Sequence, residues 1–325
     1  MKTTTVILVA IATFAVCVYV FNASWRATPE SGGPKLLSHR GVHQTYHREG
    51  LTNDTCTAER IDSPAHDFIE NTIPSMRAAF AAGADVVELD VHPTTDGYLA
   101  VLHDWRLDCR TEGKGPARKH DLAYLKTLDL GYGYTADKGK TFPLRGKGIG
   151  MMPELGEVFA EFPDKRFLIN FKSREAREGD MLAALLKTHP QWRKTVWGVY
   201  GGDAPTWRAK KLIGDNLLGF SRASVKKCLV RYIALGWTGH MPAKCHNTVV
   251  MVPIDIAPWL WGWPHLLTQR LHDVGSEIAL IGAMDNNGAP SIDTQEQLVL
   301  VPDDFSGYLW TDKIEEIGPV IRRGE

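Results

Sequence analysis

Nine short apolar runs, separated by stretches with helical spacing, set the main constraint on how this chain can fold. They are KLLSHRG (35–41), DVVELDV (85–91), YLAVLHD (98–104), RFLINFK (166–172), TVWGVY (195–200), NLLGFSR (216–222), TVVMVPID (248–255), EIALIG (277–282) and GYLWTD (307–312). Each is short and rich in branched or aromatic residues, as a buried strand is. Between them lie helix signals such as NTIPSMRAAFAAG, with Gly83 as the expected stop, and MPELGEVFAEF, with Pro153 near its start. Strands that alternate with helices predict a parallel α/β fold. Nine runs are one more than an eight-stranded barrel needs, and the surplus is expected among 216–222 and 248–255. A doubly wound open sheet is the alternative, but no GxGxxG follows the first run and no GxxxxGK[ST] occurs.

The positions of the polar residues favour the barrel. His39-Arg40, Glu88 and Asp90, His103-Asp104, Asn170 and Lys172, and Thr311-Asp312 all close runs. Catalytic groups of (β/α)8 barrels gather at the carboxyl ends of strands, so these would share one rim. Side chains alternate along a strand, which puts Val86, Glu88 and Asp90 on one face. Burying two unpaired acids costs several kcal/mol each. Either a cation compensates them, or they form a buried pair satisfied by Arg40 and Lys172.

The N-terminus differs in kind. Lys2 precedes VILVAIATFAVCVYVF (6–21), whose only polar side chain is Thr13. As a helix this run is roughly 24 Å long, slightly short of a bilayer core and longer than a typical signal-peptide apolar region. An uncleaved membrane anchor and a cleaved signal both remain open for residues 1–24. Either exports the rest, with the barrel on the periplasmic or extracellular side. Val16 before Cys17 does not suit a lipoprotein signal. Residues 25–35, WRATPESGGPK, read as a linker, and 36–325 as one barrel domain. Outside the apolar run stand Cys56, Cys109, Cys228 and Cys245, which an oxidising compartment would pair. Cys56–Cys109 and Cys228–Cys245 are expected, each joining neighbouring loops; four free thiols are the alternative. The 37 basic and 38 acidic residues leave a net charge of −1, which argues against a nucleic-acid binder working through a broad basic surface and says nothing against a local anion pocket. PWLWGWPHLL (258–267) carries three tryptophans suited to packing, or to a lipid or headgroup contact.

The motifs SHRG, ENTIPSMRAAFAAGADVVELDVHPTTDG and LHDWRLDCRTEGKG resemble the glycerophosphodiester phosphodiesterase family. The similarity continues through MPELGEVF, FLINFK and LWTDKIEEIGP. Their order and spacing together carry the resemblance, over roughly 36–173 and the last strand. It implies a TIM barrel, a divalent metal, and hydrolysis of a glycerol-linked phosphodiester. His39 and His103 match the family's two catalytic histidines. Glu88 and Asp90 match its metal-binding acids, and Glu70 the acid of its Glu-Asn motif. Arg40 and Lys172 match basic residues near the phosphate, and about 105–153 matches an insertion after the third strand. One position departs: Asn170 in INFK replaces the usual acid, leaving a neutral carbonyl as a possible ligand.

The resemblance and the residue chemistry agree. Hard oxygen ligands suit Mg²⁺ or Ca²⁺. Two histidines can split proton removal and proton delivery near neutral pH. His43, His47, His66 and His92 lie near the motifs and are assigned no role. The expected reaction releases an alcohol and glycerol 3-phosphate. Phospholipase D-like action on lysophospholipids is the second reading. A degenerate barrel that binds phosphodiesters without turnover is the third, suggested only by Asn170.

Overall fold

The computed structural model describes residues 2–52, 55–284 and 290–323. All nine apolar runs form strands: β1 Lys35–Ser38, β2 Val86–Pro93, β3 Leu99–Val101, β4 Arg166–Phe171, β5 Val196–Gly201, β6 Leu218–Phe220, β7 Val249–Pro253, β8 Glu277–Ile281 and β9 Tyr308–Thr311. Eight of them are parallel neighbours in the order β6-β5-β4-β2-β1-β9-β8-β7. The ends of this sheet meet where Gly219 N donates to Asn247 O at 3.3 Å. Lys210 bridges the same seam, its Nζ donating to Leu217 O at 2.5 Å and Asn247 O at 2.7 Å. The result is a nearly closed (β/α)8 barrel, the TIM architecture expected.

The surplus strand is neither of the two expected. β6 and β7 are both barrel staves, and β3 is the extra one, paired antiparallel to β2. The turn Thr94–Tyr98 makes this hairpin, with Gly97 at φ 93° and Thr94 N bonded to Tyr98 O at 2.8 Å. Asp96-Gly97 is a hairpin signal that parallel-strand reasoning overlooked. The segment after β3 therefore enters between the second and third barrel staves. Its residues Leu107, Leu125, Leu130 and Leu144 make a small core of their own with Ala58, Ile61 and Ile69.

The main core lies between the sheet and its helices, while Leu37, Val86, Leu168, Trp197 and Tyr308 fill the barrel interior. The helix Ile73–Ala81 starts at Thr72, whose hydroxyl accepts from Ser75 N. The helix Leu155–Glu161 begins with a capping box between Glu154 and Glu157. Both disulfides form as expected, Cys56–Cys109 and Cys228–Cys245, with Cα atoms 5.5 and 5.0 Å apart. The apolar N-terminal run is a helix, Lys2–Phe21, and its span Thr3–Phe21 is long and apolar enough to cross a membrane.

Candidate active site

The site begins at the turn after β1, where Arg40 has φ 59° and Gly41 φ 79°. A Cβ on Gly41 would lie 2.2 Å from Ser75 Oγ, so the SHRG turn admits only glycine there. Left-handed backbone at an arginine costs about 1–3 kcal/mol. Hydrogen bonds on both sides of the residue hold it. Arg40 N donates to Glu88 O at 3.0 Å, and Arg40 O accepts from Asn71 N at 3.0 Å and Ser75 Oγ at 3.2 Å.

Glu88 and Asp90 both lie in β2 and are fully buried, on the interior face shared with Val86. Strand register puts Asp90 beside Asn170 and Asn170 beside Tyr200. Asp90 accepts from Asn71 Nδ2 at 3.0 Å and Asn170 Nδ2 at 2.8 Å. Arg40 Nε and Lys172 Nζ stand 3.3 and 3.5 Å from its carboxylate. Burial opposes the charge of Asp90, but Lys172, His103 and Arg40 outweigh it and hold the carboxyl well below its usual range. Glu88 has fewer partners. It accepts from Tyr200 Oη at 2.6 Å and Arg40 N at 3.2 Å. Burial and the charge of Asp90 push its carboxyl up to about 8.

Each expected histidine leans on an aspartate. His39 Nδ1 lies 2.6 Å from Asp312 Oδ1, and His103 Nδ1 lies 2.8 Å from Asp104 Oδ1. A carboxylate at Nδ1 holds the proton there, leaving Nε2 as the basic nitrogen. His39 Nε2 is 3.9 Å from Glu88 Oε2. Burial and Arg40 lower the pKa of His39 to about 4, against the pull of Asp312. Burial, then Arg40 and Lys172, also lower that of His103. Both rings are therefore neutral at pH 7.

Arg110 connects the two halves and was not anticipated. Its buried guanidinium reaches Glu70 Oε2 at 3.0 Å, Asp104 Oδ2 at 2.9 Å, Thr57 Oγ1 at 3.1 Å and the Tyr134 hydroxyl. Arg40 takes the other oxygen of Glu70 at 3.1 Å. Burial raises the pKa of Glu70, yet Arg110 and Arg40 hold it at about 2.

The structure thus gathers His39, Arg40, Glu70, Glu88, Asp90, His103, Asn170 and Lys172 around one rim. Two of the expected metal ligands are otherwise engaged: Glu70 lies between two guanidiniums, and Asn170 turns its amide nitrogen to Asp90. Gly201, whose Cβ would lie 2.5 Å from Asn170 Oδ1, leaves room for that orientation. Glu88 and Asp90 do suit a hard cation. Burial and the charge of Asp90 disfavour the ionised form of Glu88, and a divalent ion beside the two acids would offset both. His39, His43 and Asp312 form a second cluster, with donor atoms within 4.8 Å of one another.

Of the unassigned histidines, His43 faces Asp312 at 3.7 Å and belongs to this rim. His92 packs behind it, its Nε2 3.4 Å from His103 O. His47 is largely exposed, 3.6 Å from Asp62. His66 accepts from Gln44. Asn71, Tyr200 and Arg110 escaped the sequence reading. The Glu-Asn pair could have flagged Asn71, but Arg110 sits in a loop without periodicity.

The chain is similar to known proteins in the same part. A family model described as the glycerophosphoryl diester phosphodiesterase family matches residues 39–197. A glycerophosphodiester phosphodiesterase of Caldanaerobacter subterraneus subsp. tengcongensis is 41% identical over 103 residues, 32% of this chain and 39% of the relative. The chain spans about two fifths of the length of the curated relatives it matches (39% and 42%). A glycerophosphoryl diester phosphodiesterase domain from Mycobacterium tuberculosis superposes with a TM-score of 0.60 at 17% identity, over 89% of this chain and 99% of the domain. An Oleispira antarctica phosphodiesterase, solved with the product sn-glycerol-3-phosphate, has a TM-score of 0.52 at 19% identity, over 89% and 97%. At these identities the structural likeness is one of fold.

Proposed function

We propose that this chain, which belongs to the glycerophosphoryl diester phosphodiesterase family, hydrolyses glycerophosphodiesters to an alcohol and glycerol 3-phosphate. The observation that carries this reading is the pair of Asp–His dyads, Asp312–His39 and Asp104–His103, set at one rim with the acids of β2. Nε2 of one neutral imidazole accepts the proton of the attacking hydroxyl, and its aspartate stabilises the imidazolium formed. The anionic phosphodiester favours protonation of the other ring, which then delivers a proton to the leaving oxygen. In the route the family resemblance implies, the glycerol hydroxyl beside the phosphate attacks first, and water opens the cyclic phosphate.

Glu88 and Asp90 are the residues that would hold Mg²⁺ or Ca²⁺, whose chemistry is to neutralise and polarise the phosphate oxygens. Lys172, 3.5 Å from Asp90, and Arg40 add positive charge on the same side. Export fits the two disulfides, and the helix Lys2–Phe21 is proposed as the membrane anchor. That anchor favours lysophospholipids as a second substrate class, cleaved in the manner of a phospholipase D.

The test is turnover on glycerophosphocholine, glycerophosphoethanolamine and lysophosphatidylcholine, with chelator and with each cation restored. Release of glycerol 3-phosphate that chelation stops and Mg²⁺ or Ca²⁺ restores is the expected result. Lysophosphatidic acid appearing from lysophosphatidylcholine alone would move the assignment to the second reading. Undiminished turnover in chelator would remove the cation from Glu88 and Asp90.

A further inference from the structure

From Asn216 to Ile254 the chain holds no aspartate or glutamate, but does hold Arg222, Lys226, Lys227, Arg231 and Lys244. A stretch of such one-sided charge stands out in a molecule whose net charge is −1. Four of these five basic residues lie on the helix Arg222–Leu235, on the outside of the barrel. Its inner side packs Cys228 and Tyr232 into the core. The outer side is both basic and apolar: Arg222, Lys226, Lys227 and Arg231 are exposed, and so are Val230 at 58% and Ile233 at 49%. Val230, Ile233 and Trp237 follow at intervals of three and four, one stripe of a helix continued into the next turn. A basic helix face with protruding aliphatic and tryptophan side chains matches a helix lying in a membrane interface.

A second observation places this face beside a lipid-suited segment. The apolar helix Lys2–Phe21 ends against the turn Gly236–Thr238 that follows the basic helix. Asn22 Nδ2 donates to Trp237 O at 2.8 Å, and Arg270 Nη1 donates to Asn22 Oδ1 at 2.9 Å and Gly236 O at 3.2 Å. Phe14 packs on Trp237 with ring centroids 5.9 Å apart. The helix is therefore tied to the end of the basic face, rather than hanging on a free tether.

We propose that the outer face of the helix Arg222–Leu235, with Trp237, docks on an anionic lipid surface and fixes how the barrel lies on it. Each lysine or arginine near an anionic leaflet adds to the attraction, within a Debye length. The face follows β6, so it starts at the catalytic rim and runs towards the opposite end. Seating it lays the barrel on its side and leaves the mouth opening along the surface.

The inference rests on the proposed anchor, and the experiment separates the two. The full chain is placed in lipid nanodiscs of phosphatidylcholine alone, or with about one third phosphatidylglycerol, and Lys226 and Lys227 are read by acetylation footprinting. Co-elution with phosphatidylcholine discs reports the anchor by itself. The docking proposal requires several-fold protection of both lysines in anionic discs, lost in phosphatidylcholine discs and at high salt. Arg222→Glu with Arg231→Glu should weaken that protection while turnover of soluble glycerophosphocholine stays unchanged. Equal reactivity in both discs overturns docking and leaves the anchor standing. Protection in detergent that fades on dilution assigns the face to a second copy of the chain and also overturns it. A chain that joins neither kind of disc overturns both.

Discussion

At the scale of single residues, the site is organised by what each carboxylate has left to offer. Glu70 is spent on two arginines, Asp104 and Asp312 on two histidines, and Asp90 on two amides and two cations. Among these carboxyls Glu88 is the one that burial and the neighbouring charge of Asp90 push up, to about 8, against the pull of Arg40 and Lys172. His39→Ala and His103→Ala should each cost about 10²- to 10⁴-fold in turnover, with cation affinity measured by direct titration left in place. Asn170→Glu tests the departure from the family pattern. Its amide nitrogen is 2.8 Å from Asp90, so the new carboxylate would face an existing one inside a buried site. The variant should melt several degrees below the parent in chelator, and Mg²⁺ or Ca²⁺ should recover the difference. Thermal melts with and without cation check this; a variant that melts alike in both places the ion away from position 170.

At the scale of elements, strand positions were legible because apolar alternation survives in a single sequence, while strand direction was not. β3 reads like any buried stave, and its reversal is decided by the short turn through Asp96-Gly97. The histidines and acids at run ends were legible for the same reason that barrels place chemistry there. Arg110 was not, since its importance comes from loops that meet only in the fold. Another element-level feature was silent in sequence. Glu178, in the first turn of the helix Arg177–Thr188, is fully buried, with its two oxygens each 3.3 Å from Ser173 N. Burial raises its pKa from 4.5 to about 7. The fold thus favours the protonated form, so this contribution is complete below pH 4.5 and is lost as pH rises through 7. The loss amounts to at most about 3 kcal/mol. Urea unfolding at pH 5 and pH 8 should show Glu178→Gln with a smaller decline than the parent; parallel declines would mean that Glu178 does not titrate in this range.

At the scale of the whole molecule, the two disulfides join different things, and that difference is testable. Cys228–Cys245 spans 17 residues and fastens the helix Arg222–Leu235 to the turn before β7. Cys56–Cys109 spans 53 residues and ties the loop after β1 to the segment after β3. Beside it, Thr57 and Arg110 are bonded to each other, and Arg110 holds Glu70 and Asp104, hence His103. Loop-closure entropy alone assigns about 4 kcal/mol to the longer bridge and about 3 to the shorter. Stability should therefore fall with either one removed, but the catalytic consequences should diverge. Cys56→Ser with Cys109→Ser frees the loops that position Arg110, and should lower kcat at temperatures where circular dichroism still reports an intact barrel. Cys228→Ser with Cys245→Ser should lower the melting temperature and leave kcat in that range unchanged. The pH profile adds a check specific to the site: with Asp104 no longer held by Arg110, the pKa of His103 should shift in the first variant only. Equal kcat losses in the two double variants would mean that the bridge at Cys56 supports the fold alone, and that the Arg110 network keeps its shape without it.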